Sequence, residues 1–254
     1  MTQAPGQSYV PVVFLDTNAV HYARVLLAFA QKHGLDPFSV EFGTFDQKLL
    51  EQGVRTTSDF RNGYWTVRYL REWCDKAGRV VYSPITTLEL FCNNLRAVAL
   101  VRAANREVPY RWFSHFDERD VRGHLSLDGY SEAIQGQITL KDLFDNAGIP
   151  LEECHLTEDI WRMAQAILRD IFMDVQDSIV YASAIMEQAR EVITGDGYLG
   201  ETVAYAENPG GAGEFQTLFA SVRAHLIQSY QDLTGVSQIP PVLPVHIKFR
   251  NMEK

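Results

Sequence analysis

The stretch VVFLDTN, residues 12–18, constrains this chain most. Residues 11–15 are apolar and rich in Val and Phe, and they stop abruptly at Asp16, Thr17 and Asn18. An apolar run that short, β-branched and bounded by polar residues predicts a buried strand. Val20, Ala23, Leu27 and Ala30 then recur at helical spacing and predict a helix over 19–32. Asp16 therefore sits where a central strand hands over to a helix. In open α/β sheets, ligands bind at that carboxyl end of the strands. The same residues also suit a plain helix cap, since Asp, Thr and Asn accept well from free N–H groups.

Other short apolar runs alternate with helical patterns. RVVY at 79–82 and EVIT at 191–194 predict strands. VLPVHIKF at 242–249 predicts a terminal strand, and Pro244 places it at a sheet edge. Helical patterns cover 64–77, where Gly78 stops the helix, and 157–172, 174–189 and 214–233. Ser83 followed by Pro84 opens a further long helix over 85–107. Residues 35–62 read as loop with only short structure, and 108–150, broken by Pro109 and several glycines, as an insertion of short helices. Strands alternating with helices imply a mostly parallel sheet. The expected fold is α/β: a three-layer α/β/α domain with a mostly parallel central sheet. It spans 1–254, with largely helical insertions at about 35–62 and 108–150. A chain of 254 residues can bury such a core.

Several function classes are disfavoured. No apolar run is long enough to cross a bilayer, and MTQAPGQS lacks the basic and apolar regions of an export signal. The expected setting is the cytoplasm. Cys74, Cys92 and Cys154 form no CxxC pair, and the seven His form no HExxH or HxxxH. A zinc site is not expected. The net charge of −9 is opposite in sign to that of a general nucleic-acid binder. Clustered carboxylates, however, are themselves a source of negative charge.

Four segments each deliver an acid beside a strand end or a helix start. Asp16 ends the first strand and Asp196 follows EVIT, so both face the same sheet rim. Glu89 lies in an apolar helical segment with Ile85 and Cys92 as neighbours. A carboxylate there is expensive unless a cation or donor meets it. Asp174 and Asp177, three apart, share a helix face. Helix capping accounts for both. So does a divalent cation, because hard cations take several oxygen ligands.

These residues resemble the motifs of PIN-domain ribonucleases (PIN-like / 5′ nuclease superfamily). FLDTN is similar to the opening motif, SPITTLEL to the second, DSIVYASA to the third and ITGDGYL to the fourth. The resemblance implies a PIN-like fold with Asp16, Glu89, Asp177 and Asp196 as the catalytic, metal-binding quartet. Asp174 would be an accessory metal ligand, and Thr17, Asn18 and Thr194 would position ligands or water. It implies Mg2+ or Mn2+ as cofactor and endonucleolytic hydrolysis of single-stranded RNA, in a toxin-like or RNA-processing role. An antitoxin-like inhibitor and a homodimer are the partners it brings with it. The match does not cover 35–62 or 108–150.

Other signals compete. GDGYLG at 195–200 fits GxGxxG, but it comes late in the chain, Asp196 would face a pyrophosphate, and ETVAYAENPGG reads as a poor helix. A haloacid-dehalogenase-like phosphatase is the alternative enzyme. It too opens with an Asp at a strand end, but it usually has a second Asp where Asn18 stands here. A catalytically inert PIN-like binding scaffold is the non-enzymatic alternative. Arg96, Arg102 and Arg106, followed by Arg111, Arg119 and Arg122 with Tyr110, Trp112 and Phe113, form the densest basic stretch. It suits phosphate contacts and base stacking on single-stranded RNA. It equally suits a solvated helix face neutralised by Glu107, Asp117, Glu118 and Asp120.

Overall fold

The computed structural model describes residues 10–53, 55–108, 127–171 and 173–246. Among them five strands form one parallel sheet: β1 Val12–Leu15, β2 Arg79–Tyr82, β3 Leu151–Glu153, β4 Glu191–Thr194 and β5 Leu243–His246. Their order is β3-β2-β1-β4-β5, with β1 in the centre. Every side chain of β1 is buried. Alternation along the strand sends Val12 and Phe14 into one core and Val13 and Leu15 into the other. Full burial of such side chains contributes roughly 1.5–3 kcal/mol each, which explains why this strand has no polar face.

Helices cover both faces. α1 Thr17–His33, α2 Phe42–Glu51, α3 Ser58–Asp75, α4 Pro84–Asn105 and α5 Leu127–Asn146 pack on the Val13 side. α6 Glu158–Asp170, α7 Val175–Met186, α8 Gly197–Glu207 and α9 Gln216–Thr234 pack on the Val12 side. The fold is the expected three-layer α/β/α arrangement. From β1 the chain moves outward to β2 and β3, then returns to place β4 on the other side of β1. That reversal opens a crevice beyond the carboxyl ends of β1 and β4.

Several elements differ from the sequence expectation. The 35–62 region holds α2, because Phe42, Phe45 and Leu49 recur on one helical stripe and the last two are buried. α3 starts at Ser58 rather than 64, since the Thr57 hydroxyl accepts from Phe60 N. Gly63 is tolerated inside α3 because a Cβ there would lie 2.2 Å from the Tyr22 carbonyl oxygen of α1. Within the described part of 108–150, Leu127–Asn146 form one 20-residue helix rather than short pieces. β3, absent from the sequence reading, is a three-residue edge strand paired with β2. ETVAYAENPGG at 201–211 reads as a poor helix, yet its first seven residues belong to α8 Gly197–Glu207, which the Asp196 carboxylate starts by accepting from Tyr198 N at 2.6 Å and Leu199 N at 3.2 Å. Pro244 does lie in an edge strand.

Candidate active site

Asp16 is the N-cap of α1, and its position follows from β1. The strand ends at Leu15, and Asp16 N still donates to Ile193 O of β4 at 3.0 Å, so the residue turns off the sheet while pinned to it. One carboxylate oxygen accepts from Thr17 N at 2.6 Å and the other from the Thr194 hydroxyl at 2.8 Å. The capping reading of this residue therefore holds. Asp16 is only 4% exposed, and burial pushes its carboxyl up to about 6 against the pull of both hydrogen bonds.

Thr194 ties two acids together. Its buried hydroxyl donates to Asp16 and accepts from Asp196 N at 2.8 Å. Asp196 caps α8 as Asp16 caps α1. Glu89 lies in the second turn of α4, which Ser83 caps through Ile85 N. The Thr17 hydroxyl donates to the Glu89 carboxylate and lies 3.2 Å from the Thr86 hydroxyl. Burial raises the Glu89 carboxyl, and the charge of Asp174 adds to it. Asp174 caps α7 by accepting from Asp177 N at 2.8 Å. Asp177 is pushed up to about 7, first by burial, then by the negative charges of Asp174, Asp16, Asp196 and Glu89. Acids from four segments are thus within electrostatic reach of one another.

They line a cleft of about 410 Å³ at the rim of the sheet. Of the residues expected from sequence, Asp16, Thr17, Asn18, Glu89, Asp174, Asp177 and Asp196 all border it, with Thr194 directly behind Asp16. Asn93 and Gln176 also border it and escaped the sequence reading. Helical spacing points to Asn93, one turn after Glu89, whereas Gln176, next to Asp177, shares no helix face with either acid. The sharp turn at Gly195 is enforced by α1, since a Cβ there would lie 2.7 Å from the Tyr22 ring. Among the described residues, no three His, Cys, Asp or Glu side chains close on one point as a ready-made metal cage would. Asp16, Asp174 and Asp196 are instead held by hydrogen bonds of their own helix starts, Asp16 also by Thr194, and Glu89 by Thr17.

No family model, curated protein or solved structure matches this chain. The case for a site therefore rests on its own geometry. Among the described residues, none of the basic stretch lines the cleft. Arg96 is exposed on α4, seven residues beyond Glu89 and so on the same helix face. Arg102 instead pairs with Glu132 of α5 at 3.8 Å, and neither Arg102 nor Arg106 borders the cleft. Arg111, Arg119 and Arg122, with Tyr110, Trp112 and Phe113, lie outside the described residues. Among the described residues, no helix is long and apolar enough to cross a membrane.

The raised carboxyls have a pH consequence in metal-free protein. Asp16 and Asp177 titrate near 6 and 7 when folded but at 3.8 as free side chains. The folded state therefore holds more protons between those values, and stability falls as pH rises through them. What these groups contribute is fully present below about pH 4 and lost above about pH 7. Melting temperature should drop between pH 5 and pH 8, and drop less in Asp177→Asn. Curves that run parallel for the two proteins would show that Asp177 is not coupled to folding.

Proposed function

We propose that this chain is a PIN-like, divalent-metal-dependent endoribonuclease acting on single-stranded RNA in the cytoplasm. The observation that carries the reading is the gathering of Asp16, Glu89, Asp177 and Asp196, from four separate segments, in one cleft beyond β1 and β4. The donor chemistry fits Mg2+ or Mn2+. It is carboxylate oxygen with hydroxyls and amides alongside and no imidazole, the preference of hard cations. The raised carboxyls of Asp16 and Asp177 support the same reading: burial first, and the neighbouring negative charges second, disfavour their ionised forms, and a bound cation would offset both.

Asp16, Glu89, Asp177 and Asp196 would hold the ion, with Asp174 beside them. When bound, it supplies an activated water at neutral pH and positive charge for the scissile phosphate. The chain supplies orientation. Thr194 locks the Asp16 carboxylate and the start of α8 in one hydrogen-bonded unit, and Thr17 locks Glu89 against α1. Asn18, Asn93 and Gln176 offer amide N–H donors to the substrate without adding charge.

The test is cleavage of single-stranded RNA with Mg2+ or Mn2+, then after thorough chelation, then after the metal is restored. Cleavage should vanish with chelation and return with metal. Equal cleavage after chelation would overturn the reading. Turnover of a small phosphomonoester in place of RNA would favour the phosphatase class. Binding of RNA without turnover of either substrate would favour the inert scaffold.

A further inference from the structure

On α1, Thr17, His21 and Arg24 follow one another at the i, i+4, i+7 spacing of a single helix face. On α4, Glu89, Asn93 and Arg96 do the same. The two stripes start together, because the Thr17 hydroxyl donates to Glu89. From that contact, at the acidic cleft, both change character along the helices. They turn from carboxylates and hydroxyls to His21 and Arg24 on one side and Arg96 on the other.

Arg24 is the unexplained member. It is partly buried, burial lowers its pKa, and among the described residues it has no hydrogen-bond or ion-pair partner. A guanidinium partly withdrawn from water with no anion beside it is a candidate anion-binding group. His21 is next to it and also incomplete: its Nδ1 is buried without a hydrogen-bond partner. Burial and the Arg24 charge lower its pKa, with Asp59 of α3 opposing, so at neutral pH it offers an uncharged N–H donor. We infer that Arg24 and His21, flanked by Arg96, form a subsite for a backbone phosphate of the bound strand, one to two helical turns from the cleavage centre. The guanidinium fork matches phosphate geometry, and the subsite supplies the anion that Arg24 lacks. The overall charge of the chain is no obstacle, because the cation is local. This inference rests on the nuclease reading for the course of the strand.

The experiment compares the full-length protein with Arg24→Gln and Arg24→Lys. A ten-nucleotide RNA is used for cleavage with Mg2+ and for binding by fluorescence anisotropy without added metal. A small phosphodiester that spans only the acidic cleft is the control. Arg24→Gln should lower kcat/KM and affinity for the RNA roughly 10-fold, with a salt slope shallower by about 0.7, the value of one phosphate contact on a single strand. Hydrolysis of the small diester should be unchanged. Unchanged RNA affinity and slope would overturn the subsite, as would an RNA that binds neither protein. Thermal stabilisation by inorganic phosphate that is lost in Arg24→Gln, with RNA affinity intact, would make it a free-anion site and overturn the strand assignment. Wild type that binds RNA in an Arg24-dependent way but hydrolyses nothing sinks the nuclease reading alone. If the glutamine variant does not fold, Arg24→Lys decides. Weaker binding with the salt slope retained supports the fork, and wild-type affinity overturns it.

Discussion

Asp177→Asn should abolish RNA cleavage while leaving the fold intact. The amide keeps the size of the side chain, and the backbone N–H of residue 177 still reaches the Asp174 carboxylate that caps α7. What disappears is one negative charge facing Asp174, Asp16, Asp196 and Glu89. Losing one group that steadies transition-state charge costs about 10²–10³-fold in rate, and a metal ligand is expected to cost at least that. Metal-free Asp177→Asn should melt at or above the wild-type temperature, because repulsion within the cluster falls. The deciding readout is the rise in melting temperature with Mg2+ or Mn2+, which tracks ion concentration against its dissociation constant. Wild type should show the rise and the variant should lose most of it. A variant that keeps both that rise and its cleavage would take Asp177 out of the site, and with it the strongest support for the nuclease reading.

Asp16 separates chemistry from architecture through two substitutions. Asp16→Asn can still accept from Thr17 N and meet Thr194, and it relieves a buried carboxyl that burial already pushes up to about 6. It should fold at least as stably as wild type and lose cleavage by about 10²–10³-fold or more. Asp16→Ala removes the cap and strands the Thr194 hydroxyl in the core. The helix-cap and buried-donor losses together should cost about 1–3 kcal/mol, read as a lower urea midpoint with an unchanged slope. If the asparagine variant cleaves at the wild-type rate, Asp16 is a cap and nothing more. If the alanine variant is as stable as wild type, the linkage from Asp16 through Thr194 to Asp196 does not hold the rim together.

The acids were legible in the sequence because each marks a local event. Asp16 and Asp196 follow abrupt ends of apolar strands, Asp174 and Asp177 open a helix, and Glu89 interrupts an apolar one. A strand end and a helix start are written in neighbouring residues, so the rim of the sheet on which these acids stand follows from local sequence. The Ser83–Pro84 helix start and the Pro244 edge strand were legible for the same reason. Of the candidate donors, helical spacing from Glu89 marks Asn93, while no spacing in the sequence marks Gln176. The basic stretch reads as one unit in the sequence, whereas rotation along α4 keeps Arg96 on the Glu89 face and lets Arg102 meet Glu132 of α5.

By itself, the sequence determined the layered α/β class, the central strand, and which carboxylates stand at its rim. Period-2 and period-3.6 patterns, with their caps, depend only on residues a few positions apart. Only the tertiary structure decided that β4 lies against β1 on the side opposite β2, which brings four distant acids into one cleft. It alone placed β3 at the edge of the sheet and set Gly63 and Gly195 against Tyr22. It alone left Arg24 half buried without an anion. Those outcomes depend on which surfaces meet after the chain closes on itself, and no local pattern of residues specifies them.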